Sequence, residues 1–141
     1  MPGYPRDILL VEDDEADALL IQDALEQFGD ERTVTHIEDG VAALAHLRTP
    51  GRVRPDLIVM DLNMPRMNGH ELLKILKTDS ILRTVPVVVL TTSSLSTDIE
   101  AAYANHANAY VTKPVTLDEF THAVQSIDEF FLRTATTPAA A

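Results

Sequence analysis

Apolar residues in this chain fall into two kinds of run, and the two kinds alternate. The first kind is short and continuous. Ile8-Leu9-Leu10-Val11, Leu57-Ile58-Val59-Met60, Val85 to Leu90 and Ala109-Tyr110-Val111 read as strands buried on both faces, because a parallel strand covered by helices has no polar side. Pro86 has no N–H for a ladder and so belongs at the beginning of its strand. Arg32 to Ile37 alternates weakly and carries Thr33, Val34, Thr35 and Ile37, so it reads as a further strand.

The second kind of run has helical spacing. Glu15 to Phe28 puts Ala16, Leu20, Ala24 and Phe28 on one stripe, with Gly29 where a C-cap is expected. Val41 to Leu47 is a second helix. Gly69 to Lys77 is a third, with Leu72, Leu73, Ile75 and Leu76 inward. Thr97 and Glu100 have capping-box spacing for a fourth, ending near Asn105. Thr116 and Glu119 cap a fifth, whose inward stripe is Phe120, Val124, Ile127 and Phe131.

Five strands alternating with five helices predict an α/β fold, a doubly wound parallel sheet with helices on both faces. Crossovers are expected to be right-handed. In such sheets the ligand crevice lies beyond the carboxyl ends of the strands. A length of 141 residues suits one domain spanning 1–141, with a core over about 7–132. Thr49 to Pro55 reads as a loop, and the Thr/Ala/Pro-rich 134–141 as a frayed tail.

Composition narrows the function classes. The net charge of −11 argues against direct nucleic-acid binding, which needs a basic patch. No apolar run is long enough to span a bilayer, and the N-terminus lacks the plan of a signal peptide. Cysteine is absent, so neither a disulfide framework nor a thiolate metal site is available. A cytoplasmic protein is the simplest expectation. The histidines His36, His46, His70, His106 and His122 show no metal spacing, and surface positions are expected for most of them.

Four segments bear chemistry, and each ends a predicted strand: Val11-Glu12-Asp13-Asp14, Met60-Asp61-Leu62-Asn63-Met64-Pro65, Leu90-Thr91-Thr92 and Thr112-Lys113-Pro114. The topology brings them to one crevice. Glu12, Asp13 and Asp61 would crowd there and repel. A hard divalent cation with oxygen ligands, Mg²⁺ above all, relieves that repulsion. The bland reading of Glu12 to Glu15 is a helix start, since acids favour the N-terminal dipole, and Asp14 suits that cap. Asp61 directly follows four apolar strand residues, so it points into the crevice, where a carboxylate can attack phosphorus and form an acyl phosphate. Lys113 offers a positive charge and Thr91 a hydroxyl to the equatorial oxygens. Sequence leaves the isomer of the Lys113-Pro114 bond open.

Taken together, these motifs resemble the response-regulator receiver domain of bacterial two-component signalling. The resemblance rests on Glu12-Asp13, on Asp61 with Asn63, Met64-Pro65 and Gly69, and on Thr91, Tyr110 and Lys113-Pro114. It implies a flavodoxin-like fold with strand order 2-1-3-4-5. It also implies phosphotransfer from a histidine kinase onto Asp61. Asp13 and Asp61 would be direct Mg²⁺ ligands, with the Asn63 backbone carbonyl as a third and Glu12 acting through water. Thr91 and Lys113 would bind the phosphoryl group, and Tyr110 would turn inward as Thr91 moves. Many receivers carry Asp at the position of Glu12 and a smaller residue at that of Thr92. Asp56 to Pro65, Val85 to Ser94 and Ile127 to Phe131 are similar to stand-alone receivers paired with phytochrome-type kinases.

Output would then be contact with a downstream protein or onward phosphotransfer, and the chain would be a phospho-acceptor rather than an enzyme. Two other readings stand beside it. A Mg²⁺-dependent phosphohydrolase with an Asp nucleophile usually has a second Asp where Asn63 stands. A pseudo-receiver would lack a reactive position, and none is missing. Phe130 and Leu132 fall beside the last helix's inward stripe, and exposed apolar residues in a cluster predict an interface. A homodimer through the face of the fourth helix, the fifth strand and the last helix is therefore expected; the bland alternative is that Phe130 and Leu132 simply cover the end of the core.

Overall fold

The computed structural model describes residues 6–27, 32–52 and 54–138. Strands and helices alternate along the chain: β1 (Arg6–Val11), α1 (Glu15–Glu26), β2 (Arg32–Ile37), α2 (Gly40–Leu47), β3 (Leu57–Met60), α3 (Gly69–Thr78), β4 (Val87–Thr91), α4 (Ser96–Ala104), β5 (Ala109–Thr112) and α5 (Leu117–Asp128). The strands form one sheet in the order β2-β1-β3-β4-β5, and every pairing is parallel. This is the expected flavodoxin-like order.

The continuous apolar runs have a simple cause. Alternate residues of a strand face opposite sides, and both sides of this sheet are covered. Leu9, Val11, Ile58, Met60, Val87 and Val89 pack under α2 and α3 through Ala43, Leu44, Leu72, Leu73 and Leu76. Ile8, Leu10, Leu57, Val59, Val88 and Leu90 pack under α1 and α5. Each strand therefore contributes to two cores. Pro86 precedes β4, and its carbonyl accepts the Ile58 N–H at 2.9 Å.

Register places the strand ends. Val11 lies opposite Met60, and the next residue continues the ladder, with the Asp61 N–H donating to the Val11 carbonyl at 3.0 Å. Thr91 lies opposite Thr112, and the Lys113 N–H donates to the Thr91 carbonyl at 2.6 Å. Glu12, Asp61, Thr91 and Lys113 thus sit at one edge of the sheet for reasons of backbone pairing alone.

Three expectations need correction. The buried stripe of α1 is Ala18, Ile21, Ala24 and Leu25. Ala16 is exposed and Leu20 only half-buried, because the two neighbours of this helix, β2 and α5, meet a face rotated from the expected one. Phe28 and Gly29 lie outside the described residues. The Thr97–Glu100 box does not form. The residue before α4 is Leu95, which gives no side-chain cap, while Asp98 in the first turn takes the Ser93 hydroxyl at 2.5 Å instead. Thr116 does cap α5, accepting the Glu119 N–H at 3.3 Å.

The third correction concerns Leu132. Beyond α5 the chain continues as a π-helical segment, Glu129–Thr134, closed by the Ala135 N–H on the Phe130 carbonyl at 2.7 Å. The wider turn swings Leu132 into the core, where only 5% of it is exposed. It is not available to an interface. Phe130 is 53% exposed and stands edge-on to Phe131 with ring centroids 5.1 Å apart. At the same turn the fully buried Asp128 is held by Arg32 through two bonds of 2.7 and 2.9 Å. The Lys113–Pro114 bond is trans.

One glycine fixes how closely α3 approaches the site. A Cβ at Gly69 would lie 2.4 Å from the Asp61 carbonyl and 2.7 Å from the Leu62 Cα. Both are backbone atoms that cannot swing away. Gly69→Ala is expected to lower stability by about 1–3 kcal/mol, the usual cost of overpacking, as read from a lower urea midpoint with an unchanged slope.

Candidate functional site

The site is built from four strand ends. After β1 the chain leaves the sheet at Glu12, whose N–H still bonds the Ile37 carbonyl of β2 at 3.0 Å. Asp14 caps α1, accepting the Asp17 N–H at 3.0 Å, as its place in the sequence suggested. Between them Asp13 is exposed at the mouth of the crevice, while Glu12 and Asp61 are buried. Glu12, Asp13 and Asp61 each offer a carboxylate oxygen, and these oxygens lie within 4.8 Å of one another.

Asp61 is gripped on both oxygens. Oδ1 accepts the Leu62 N–H at 2.6 Å and the Asn63 N–H at 3.3 Å. Oδ2 accepts from Lys113 Nζ at 3.0 Å. Burial opposes charge on this carboxyl. The Thr91 hydroxyl, Lys113 and the Asn63 N–H outweigh it and hold the group below the ordinary Asp value. The sequence-predicted residues Glu12, Asp13, Asp61, Asn63, Thr91 and Lys113 therefore come together.

Lys113 Nζ sits among carboxylates, 2.7 Å from Glu12 Oε1, 2.7 Å from Asp17 Oδ2 and 3.0 Å from Asp61 Oδ2. Burial works against the ammonium, but bonds to Asp17 and Glu12 raise its pKa above the ordinary lysine value. Glu12 behaves differently. Burial pushes its carboxyl up to about 7, against the pull of Lys113 and with the Asp61 charge adding to the rise. Lys113 stays charged across the neutral range, while burial favours the neutral form of Glu12.

The loop from β3 to α3 is pinned at several points. Arg66 adopts a left-handed backbone with φ of 64° and pairs with Asp39, the N-cap of α2. Asn68 and Glu71 form a reciprocal capping box at the start of α3. On the other side of the site, the Tyr110 hydroxyl donates to the Ser93 carbonyl at 2.8 Å, with the ring packed against the core. The tyrosine expected to turn inward is already half-buried here. Ser93 is further tied to Asp98, and Asp98 Oδ1 lies 3.0 Å from His70 Nε2. His36 Nε2 lies 2.6 Å from the Glu12 carbonyl. Neither His70 nor His36 is a plain surface residue.

Asp17 was missed in the sequence. It lies in the first turn of α1, after the Asp14 cap, where an acid reads simply as a favourable helix start, so the sequence offered no signal that set it apart. Ser93, Asp98 and His70 carry no pattern that singles them out before folding.

Three hard carboxylate donors fit a hard divalent cation with oxygen ligands. The site thus has the donor set for such an ion, a nucleophilic carboxylate, and an ammonium and a hydroxyl to receive developing negative charge.

Comparison with known proteins gives the same picture. Residues 8–125 match the family described as the response regulator receiver domain. The chain is 42% identical over 140 residues to response regulator Rcp1 of Synechocystis, covering 96% of this chain and 95% of that one. It is 42% identical over 131 residues to the probable methanogenesis regulatory protein FilR2 of Methanothrix harundinacea, covering 91% and 84%. The structure superposes on the phosphorylated cyanobacterial phytochrome response regulator RcpA with a TM-score of 0.92 at 43% identity, covering 96% and 100%. The Mn²⁺-bound form of Rcp1 gives 0.90 at 42% identity, again covering 96% and 100%.

Cation binding and pH are linked at Glu12. A carboxyl raised from 4.5 to about 7 binds more protons folded than unfolded between those values, so cation-free stability falls as pH rises through that window. A cation needs the carboxylate, so its apparent affinity should weaken as pH drops through about 7. Titration with Mn²⁺ or Mg²⁺ at pH 8 should raise Tm, with a stabilisation of about 2.7 kcal/mol at about 100 times Kd. The response should shrink at pH 6 and largely vanish in Asp13→Ala. An undiminished response in that variant would put the ion elsewhere.

Proposed function

Because this chain belongs to the response regulator receiver family, we propose that it takes a phosphoryl group onto Asp61 in a Mg²⁺-dependent reaction. The carrying observation is the placement of Asp61, buried at the end of β3 with Lys113 on one oxygen and two N–H groups on the other. In the transfer, a carboxylate oxygen of Asp61 bonds to phosphorus as the bond from phosphorus to the donor breaks. Asp13, Asp61, the Asn63 carbonyl and Glu12 through water would hold the ion. When bound, Mg²⁺ supplies charge neutralisation at the phosphoryl oxygens. Lys113 and the Thr91 hydroxyl meet the remaining oxygens, and Thr91 with Tyr110 carries the change to the α4 side.

The donor in this reading is a histidine kinase of the phytochrome type. Its support is the likeness to RcpA, described as a phytochrome response regulator. Among the described residues no helix is long and apolar enough to cross a membrane, which agrees with a cytoplasmic setting. The chain acts as a phospho-acceptor and passes the signal by protein contact. Asn63 offers no general acid where an Asp-nucleophile phosphohydrolase has one, so turnover of outside substrates is not expected.

We further propose homodimerisation through the face of α4, β5 and α5, with Phe130 in it and Leu132 not. Leu132 belongs to the core, whereas Phe130 borders a cavity of about 350 Å³ on the outer face of the last helix, with His122, Gln125 and Glu129. Symmetric pairing would set the same patch on both chains.

Two experiments test these readings. Incubation with acetyl phosphate and Mg²⁺ should add one phosphoryl mass to wild type and none to Asp61→Asn, which keeps the shape but cannot attack phosphorus. Equal labelling of the two would remove Asp61 from the role. In sedimentation, wild type should run as a dimer at micromolar concentration, and Phe130→Asp should move toward monomer with its fold retained. A monomeric wild type, labelled or not, would end the dimer reading.

A further inference from the structure

An ammonium has three N–H bonds to give, and three carboxylates face the one on Lys113. Glu12 Oε1 lies at 2.7 Å, Asp17 Oδ2 at 2.7 Å and Asp61 Oδ2 at 3.0 Å. The three partners are not equivalent once the site works. Glu12 and Asp61 belong to the carboxylate cluster suited to a divalent cation, so their oxygens are shared with it. Asp61 also gives up its negative charge when it becomes an acyl phosphate. Asp17 is in neither position. It lies on the first turn of α1, outside that cluster, and its own N–H is fixed on Asp14.

Resting on the receiver reading above, we propose that Asp17 is a positioning residue that holds Lys113 Nζ beside Asp61 while the phosphoryl group arrives. Lysine is a point charge on a flexible four-carbon stem. With Glu12 drawn toward the ion and Asp61 phosphorylated, two of the three anchors weaken together. The third comes from a different element, approaches from the α1 side, and has only 27% of its side chain exposed against 5% for Lys113. The α1 N-terminus favours a carboxylate at this point. Asp17 therefore fixes the ammonium from the flank, and the N–H now given to Asp61 Oδ2 can pass to a phosphoryl oxygen without the side chain swinging to solvent.

A plain structural tie between α1 and the β5–α5 turn would affect melting but not the transfer itself, and the two roles separate by experiment. Asp17→Asn keeps the shape and loses the charge. Labelling by acetyl phosphate with saturating Mg²⁺ should slow about tenfold in this variant, since small misplacements of a catalytic group cost rate steeply. The half-saturating acetyl phosphate concentration should not change. Asp17→Glu should restore most of the rate, which keeps the test valid if the Asn variant folds poorly. The chain has three lysines, Lys74, Lys77 and Lys113, so ¹⁵N-lysine labelling gives few ammonium signals, and Lys113→Arg assigns the relevant one. That signal should be sharp in the Mg²⁺-loaded wild type and exchange-broadened in Asp17→Asn. Wild-type rate in Asp17→Asn, or an unchanged Lys113 signal, overturns the proposal. A wild type that takes no label overturns the receiver reading itself, a different result from wild type and variant labelling equally.

Discussion

Carboxylates brought together at the ends of parallel strands repel one another, and the rest of this site is arranged around that repulsion. The sheet leaves no freedom in the matter. Once Val11 lies opposite Met60, the residues that follow must be neighbours, and here they are Glu12 and Asp61. Lys113 answers the repulsion from β5, and a proton on Glu12 answers it further when pH falls. A divalent cation does so without either. The charge balance of the site therefore depends on which of these is in place, ammonium, proton or ion.

A change in that balance needs a route out of the crevice, and the hydrogen bonds around β4 supply one. Thr91 touches Asp61, and two residues on Ser93 takes the Tyr110 hydroxyl on its carbonyl and gives its own hydroxyl to Asp98. Asp98 in turn meets His70 on α3. The chain of contacts crosses from β4 to β5, α4 and α3 within a few residues. A shift of Thr91 toward a phosphoryl oxygen would act on the backbone that Tyr110 and α4 are tied to. Gly69 lets α3 stand against the Asp61 carbonyl, which keeps this route short.

The sequence made the fold legible because burial on both faces leaves strands with no polar positions, and such runs are hard to mistake. Ile8 to Val11 and Leu57 to Met60 were clear for that reason. The reacting groups were legible because each follows such a run directly. What could not be read was whatever depends on how elements turn against one another. The stripe of α1 was placed on Ala16 and Leu20 when the packing of β2 and α5 selects Ala18 and Ile21. Leu132 looked unpartnered because an ordinary helix leaves it outside, and only the wider π-helical turn brings it in. Asp17 belongs to the same class, since its value to Lys113 exists only after α1 has packed against α5.

Buried acids in this protein have two fates, and the partner decides which. Asp128 is fully buried against the Arg32 guanidinium, whose planar fork matches the two carboxylate oxygens and holds them in one geometry. Such a pair is costly to break, because a lone buried charge is left behind, and it serves as a strut between the start of β2 and the end of α5. Asp61 faces a lysine instead. Lys113 is a point charge with exchangeable bonds, shared among three carboxylates, and none of its contacts requires a fixed plane. One bond can leave Asp61 for an incoming oxygen while another stays on Asp17. Exchange of Lys for Arg at 113 would keep the charge and lose that freedom, so the difference between a strut and a reaction site in this fold lies in the geometry of the cation rather than in the acid it meets.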